Sequence, residues 1–273
     1  MNAKELNNGI DVSCGDGVYS FLTFGGELSQ NTDMFRSIKL GKREDDFDTF
    51  DMFDETYQIE VTKSPEISYR YGSDWKENLI KKANKLSFYK NLIVHDNNTI
   101  FPFESDYFEF VYSNSAYWVD RFENHVNDLA RITKRGGYLV LQMKNRNIFK
   151  SSAQNYADFM GSKFHKIVDA GRSSTWKGMR TEEELINVLK SVKGMTIESI
   201  EPVYGDLLAK IWDIGLRPLF NPLVKMANNL NEENRNEIKE EWCEIFFDLF
   251  EDYLEEYVPQ NDVFEYTYVL RKN

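Results

Sequence analysis

The tightest constraint on what this chain can fold into is a five-residue turn near its start. Ile10-Asp11-Val12 reads as the end of a short strand, Ser13-Cys14-Gly15-Asp16-Gly17 as a tight turn, and Val18 to Thr23 as the opening of a helix. Strand, glycine turn, helix is a layout that cradles a cofactor against the free N–H groups of a helix start. The chain after Glu66 fits the same plan. Ile67–Tyr71 alternates like a strand and ends at Gly72-Ser73-Asp74. Lys76–Leu86 carries Leu79, Ile80 and Ala83 on one helical face. Asn91–His95 is a strand closed by Asp96-Asn97-Asn98, and Phe101-Pro102-Phe103 is a turn. Tyr107–Tyr112 is a strand ending at Ser113-Asn114-Ser115, Asn124–Thr133 a helix stopped by Gly136-Gly137, and Tyr138–Met143 an apolar strand. This alternation predicts an α/β domain with a mostly parallel sheet and helices on both faces.

Composition narrows the class. The 273 residues are 41% hydrophobic and 29% charged, enough apolar content for a packed core. No run of 18 apolar residues is present, which predicts no membrane-spanning helix and no stable membrane insertion. The polar Met1–Asn8 predicts no signal peptide. Two distant cysteines, Cys14 and Cys243, suit a reducing cytoplasm and argue against a disulfide framework or a zinc site. The net charge of −12 argues against a general nucleic-acid binder. That charge is uneven. Between Arg131 and Arg180 there are eleven bases against only Asp158 and Asp169, a segment charge of +9 that leaves −21 on the rest. Such a segment either attracts an anion or pairs with acidic parts of the same chain.

Two stretches interrupt the plan. Residues 25–66 read as an acidic insertion after the first helix, with an FD repeat over Phe47–Asp54. The repeat lacks the glycine and terminal glutamate of an EF-hand loop, so no metal site is expected there. After a capping box at Thr181–Glu184 and a helix to Val192, strands at Met195–Val203 and Val263–Arg271 enclose a helical insertion, 205–258. Its first half is broken by Pro218 and Pro222. Its second half, Glu232–Tyr257, places Ile238, Trp242, Ile245, Phe246, Leu249, Tyr253 and Tyr257 on one stripe. The whole of 1–273 is expected to form one domain, with 205–258 as its helical insertion or lid.

Four features in order make the chain resemble class I S-adenosylmethionine-dependent methyltransferases of the small-molecule and glycan type, similar to the ubiquinone-biosynthesis-like group. They are Asp11-Val12-Ser13-Cys14-Gly15-Asp16-Gly17, the acid of Gly72-Ser73-Asp74, Asp96-Asn97 before Phe101-Pro102-Phe103, and Tyr112–Ser115 followed by Leu129–Gly137. The resemblance implies a Rossmann-like seven-stranded sheet with an antiparallel last strand, and S-adenosyl-L-methionine as cofactor. It places the cofactor on Asp11, Ser13, Cys14, Gly15, Gly17, Asp74, Trp75, Asp96, Asn97, Ser113 and Asn114. In that reading Asp11 faces the methionine amino group through water, as a charge match, and Asp74 accepts from the ribose hydroxyls. Asp96 accepts from the adenine amino group, and Gly15 and Gly17 let the backbone approach the cofactor. The plain alternatives are a turn cap for Asp11, a helix cap for Asp74 and an Asx-turn for Asp96.

The sequence departs from the family pattern at Ser13, where a glycine is usual, in the 57-residue gap from Gly17 to Asp74, and in having nine residues before Ile10 where the family often has a covering helix. A nicotinamide site is disfavoured because the turn lacks the third glycine of that fingerprint. The acceptor is expected to be small or glycan-linked and anionic, met by Tyr117, Trp118, Arg146, Arg172, Lys177 and Arg180. Ile211–Pro218 is similar to a segment of bacterial surface-glycan methyltransferases, which implies O-methylation of a sugar in polysaccharide biosynthesis. His165 is the candidate base, with a surface histidine as the alternative. His125 is expected to be exposed and His95 structural. The other function class is a non-catalytic methyltransferase-like scaffold subunit.

Overall fold

The computed structural model describes residues 8–32, 53, 57–169, 176–256 and 263–273. The chain runs β1 (Gly9–Val12), α1 (Val18–Thr23), β2 (Glu27–Leu28), β3 (Val61–Lys63), β4 (Tyr69–Asp74), α2 (Glu77–Lys85), β5 (Tyr89–Val94) and β6 (Phe108–Asn114). It continues through α3 (Phe122–Ile132), β7 (Thr133–Lys144), α4 (Ala157–Met160), α5 (Ser162–Asp169), α6 (Glu182–Ser191) and β8 (Met195–Gly205). The helical insertion is α7 (Asp206–Lys210), a π-helical turn (Ile211–Leu216), a 3₁₀ turn (Arg217–Leu219), α8 (Phe220–Asn228) and α9 (Glu232–Glu256), and β9 (Val263–Lys272) closes the fold.

Seven strands form one sheet in the order β5-β4-β1-β6-β7-β9-β8. The first five in that order are mutually parallel, and β9 runs antiparallel to both β7 and β8. The expected Rossmann-like sheet with an antiparallel last strand is therefore present. Two apolar clusters cover its faces. Val18 and Phe21 of α1 and Ala83 of α2 pack with Tyr69, Tyr89, Phe110 and Val140 on one side. Val126 and Leu129 of α3 and Leu185 and Leu189 of α6 pack with Val12, Val111, Leu139 and Leu141 on the other. β1 is buried along its whole length, so the strand that carries the glycine turn is also the fixed centre of the sheet.

Three expectations need correction. Gly136-Gly137 does not stop α3; the helix ends at Ile132 and both glycines lie inside β7. A Cβ at Gly137 would fall 2.6 Å from the Glu109 carbonyl oxygen, so the residue is small because β6 comes close. His125 is not exposed: it is 2% accessible and faces Phe101 at a ring separation of 6.1 Å. The stripe on α9 is not buried as a unit, since Ile238, Trp242 and Ile245 are exposed. Trp242, Phe246 and Phe250 pair along the helix at four-residue spacing, with centroids 5.6 and 5.7 Å apart, which supports the helix along its own surface. The FD repeat lies outside the described residues except for Phe53, whose ring meets Tyr57. Among the described residues, no helix is long and apolar enough to cross a membrane.

Candidate active site at the carboxyl ends of the strands

In open α/β sheets, ligands sit outside the carboxyl ends of the strands, where the direction of chain progression reverses. Here that point lies between β1 and β6, and the turn 13–17 opens onto it. The turn is built from left-handed backbone. Ser13, Gly15 and Gly17 have φ of 61°, 59° and 79°. Serine at φ 61° is locally strained, and its hydroxyl is held by Asn97 Nδ2 at 2.8 Å. The Cys14 N–H donates to the Ser73 carbonyl at 2.9 Å, and the Gly15 N–H donates to Asp74 Oδ2 at 3.1 Å. Asp16 closes an Asx-turn ahead of α1 by accepting from the Val18 N–H at 3.1 Å. The turn is thus bonded to the end of β4 and to the segment after β5.

The predicted cofactor residues, with Ser73 beside them, divide into those with polar capacity left at the strand ends and those bonded or packed into the core. Ser73 and Ser113 flank Val12 in the sheet register, and both are fully buried. Among the described residues, their hydroxyl oxygens and Asn97 Oδ1 have no hydrogen-bond partner. Unpartnered buried polar atoms at strand tips are costly unless a ligand or water meets them. Asn114 accepts from the Ser115 hydroxyl at 3.0 Å. Asp74 accepts from the Lys76 N–H at 2.9 Å as well as from Gly15, which uses part of its four-site capacity and leaves room for further donors. Burial pushes the Asp74 carboxyl up, with the two backbone N–H groups opposing that shift. The Trp75 ring beside it is 66% exposed, with the Lys76 ammonium over its face.

Others turn inward. Asp11 is 1% accessible, and its Oδ2 accepts from the Ser20 hydroxyl at 2.6 Å and the Tyr89 hydroxyl at 2.7 Å. Burial pushes its carboxyl up to about 6 despite those two bonds. The Cys14 thiol packs in the core beside Val18, and burial pushes it well up. A methyl on Gly17 would fall 2.8 Å from Tyr89 Cε2 and 3.1 Å from Leu86 Cδ1, so its missing side chain serves the seating of α1 on the sheet. A methyl on Gly15 would meet open space. Asp96 is exposed and closes an Asx-turn, accepting from the Asn98 N–H at 2.9 Å.

On the acceptor side, Tyr117 is buried and Trp118 is 43% exposed, both edge-on to Trp176. The bases of the positive segment are paired within the chain. Lys177 meets Asp120 at 3.0 Å, Arg180 meets Glu123 at 2.9 Å and Arg146 meets Glu184 at 3.6 Å. Arg172 lies outside the described residues. His165 sits on α5 with its Nε2 buried and unpartnered. The Ile211–Pro218 segment makes a structural hub: Asp213 Oδ1 pairs with Arg217 at 2.9 Å, while Oδ2 accepts from the Ala153 N–H at 3.1 Å.

Sequence reasoning missed a polar line beyond β6. Gln142 of β7 accepts from the Tyr19 and Tyr112 hydroxyls at 3.1 and 2.9 Å and donates to Glu265 of β9. Lys144 lies 3.8 Å from Glu265, with its ammonium over the Tyr117 and Tyr204 rings. The available signal was a glutamine and a glutamate at buried positions of otherwise apolar strands.

Residues 60–141 match the methyltransferase-domain family. Among solved structures, the chain resembles a proposed sarcosine dimethylglycine methyltransferase from Galdieria sulphuraria, with 14% identity, 99% of this chain and 81% of that one covered, and a TM-score of 0.50. It also resembles an S-adenosylmethionine-dependent methyltransferase from Mesorhizobium loti, with 12% identity, 98% and 93% covered and a TM-score of 0.48. A third is a Haemonchus contortus phosphoethanolamine N-methyltransferase in complex with S-adenosyl-L-methionine, with 11% identity, 97% and 48% covered and a TM-score of 0.49. A search of curated proteins gives no match.

Proposed function

We propose, on the premise that this chain is a class I S-adenosylmethionine-dependent methyltransferase, that it methylates a hydroxyl of a small or glycan-linked acceptor held beyond β6. The observation that carries the placement is the set of unpartnered buried atoms, Ser73 Oγ, Ser113 Oγ and Asn97 Oδ1, around the glycine turn. A nucleoside with hydroxyl and amino groups fits that donor and acceptor set. S-adenosylmethionine, when bound, supplies the methyl group on an activated sulfonium. The protein's part is alignment and the exclusion of water. Asp74 accepts from the ribose hydroxyls, with Gly15 and Lys76 N–H groups fixing its carboxylate. Trp75 covers the purine, and the exposed edge of Asp96 with the Asn97 amide reads the purine rim. Exposed Trp118 offers a flat apolar face for an acceptor ring, which favours a sugar over a linear anion. Charge recognition by Arg146, Lys177 and Arg180 has less support than aromatic stacking, because each already meets a carboxylate.

Calorimetric titration of S-adenosylmethionine tests the cofactor half. Wild type should bind, and Asp74→Ala should weaken binding about 100-fold, the value of two lost hydrogen bonds to a charged group, while thermal unfolding shows the variant still folded. Wild type that gives no heat at millimolar cofactor favours the scaffold reading. Transfer of labelled methyl to a panel of nucleotide sugars tests the acceptor half, and a product from a non-sugar acceptor alone overturns it.

A further inference from the structure

Hydrogen-bond direction along the line beyond β6 is fixed from its buried end. Glu265 is 4% accessible and pairs with the Lys144 ammonium at 3.8 Å, and a carboxylate in such a pair accepts. Gln142 therefore turns its Nε2 toward Glu265 and its Oε1 away; the flipped amide would set two acceptors face to face. Oε1 has two lone pairs, and the Tyr112 and Tyr19 hydroxyls fill them at 2.9 and 3.1 Å. Both tyrosine protons are thereby committed inward, so each hydroxyl oxygen can serve other groups only as an acceptor. Tyr112 is partly buried, whereas Tyr19 is 52% exposed. The solvent-facing end of the line is an oxygen lone pair open to a donor from water or a ligand.

Its place in the sheet says which donor. Asp96 follows β5, Asp74 ends β4 and the glycine turn follows β1, while the Tyr19 hydroxyl donates to Gln142 of β7, which also accepts from Tyr112 of β6. Neighbouring strands are about 4.8 Å apart. A nucleoside laid with its purine over β5 and its ribose at β4 carries its sulfur past β1 and its amino-acid arm toward β6 and β7. The carboxylate expected to meet that arm's ammonium, Asp11, is buried and bonded to Ser20 and Tyr89. The ammonium needs another acceptor, and the line supplies one.

We propose that the Tyr19 hydroxyl accepts a hydrogen bond from the α-ammonium of the bound cofactor, with Gln142 and Glu265 as positioning residues that set its polarity. This rests on the cofactor reading above. Burial pushes the Tyr112 hydroxyl up, with Tyr19 and Asp11 adding to the shift, so the companion donor keeps its proton. Lys144 balances the Glu265 charge at 3.8 Å, so the line offers polarity rather than net charge.

The test is calorimetry on the full chain with two nucleosides. S-adenosylhomocysteine carries the α-ammonium; 5′-methylthioadenosine keeps the purine, ribose and sulfur but lacks the amino-acid arm, and its affinity can be read by competition. Tyr19→Phe should weaken S-adenosylhomocysteine about tenfold, as expected for one hydrogen bond to a charged group, and leave 5′-methylthioadenosine within twofold. Tyr112→Phe removes the companion hydroxyl and should change neither beyond twofold. Equal weakening of both nucleosides by Tyr19→Phe, no weakening of either, or a selective loss in Tyr112→Phe overturns the assignment. Wild type that binds neither overturns the cofactor reading itself and this assignment with it.

Discussion

Gly17 combines two requirements that only glycine meets. Its φ is 79°, and the space where a Cβ would go is filled by Tyr89 and Leu86. Tyr89 cannot simply move aside, because its hydroxyl is one of the two donors to the buried Asp11. Gly17→Ala should therefore cost about 2–4 kcal/mol and lower Tm by roughly 5–10 °C, measured by thermal unfolding. The same substitution at Gly15 meets only the backbone penalty, since nothing lies within 4 Å of its Cβ position. At this scale the sequence located the turn but not the direction of its side chains. Asp11 and Gly17, both predicted beside the cofactor, also pack against Tyr89, which lies 78 residues beyond Asp11. Residue spacing states which residues end a strand; which side of the pleat each one serves depends on partners far along the chain.

Elements with clear periodicity were legible to within a few residues, because α2, α3 and α6 each have a buried stripe and β4 to β7 alternate with them. The insertion was less so. Its first half combines an α-helix, a π-helical turn and a 3₁₀ turn, so no single period describes it. What holds it is polar: Asp213 is 4% accessible and joins Arg217 of the following 3₁₀ turn to the Ala153 N–H after β7. Arg217 also reaches the Asp169 carbonyl of α5 at 3.1 Å. Asp213→Ala leaves a guanidinium with 14% of its side chain accessible and no carboxylate on it, which should cost about 3 kcal/mol. The loss should be local. Amide exchange should quicken over 153–160 and 206–219 and stay slow in β1 and β6.

Across the whole molecule, buried groups of opposite sign set the response to acid. Burial pushes His125 down to about 4 from 6.5, so between those values the unfolded chain binds the extra proton and stability falls as pH drops. His95 is lowered in the same direction, again by burial first. Asp11 works the other way. With its carboxyl raised to about 6 from 3.8, the folded chain binds the extra proton, and stability falls as pH rises through that window. The two effects oppose each other between pH 4 and 6. Asp11→Asn keeps an acceptor for Ser20 and Tyr89 but removes one of the opposing groups. Its stability relative to wild type should rise with pH across that window by about 1.4 kcal/mol per pH unit, read from urea unfolding at several pH values. A flat difference would mean that Asp11 does not hold its proton there.

The sheet order carries a kinetic consequence. β9 occupies an interior slot between β7 and β8, yet β8 precedes it in the chain with the whole of the insertion in between. Until β9 arrives, β8 has no neighbour in the sheet and β7 is an open edge. Pairings this far apart in sequence are slow to close. The half of the molecule with β1, β4, β5 and β6 can assemble first, while Glu265, Gln142 and Lys144 meet only in the final pairing event. In the proposed reading, competence to grip the nucleoside's amino-acid arm is therefore acquired last, and a half-folded chain would offer its purine and ribose contacts before it could do any chemistry.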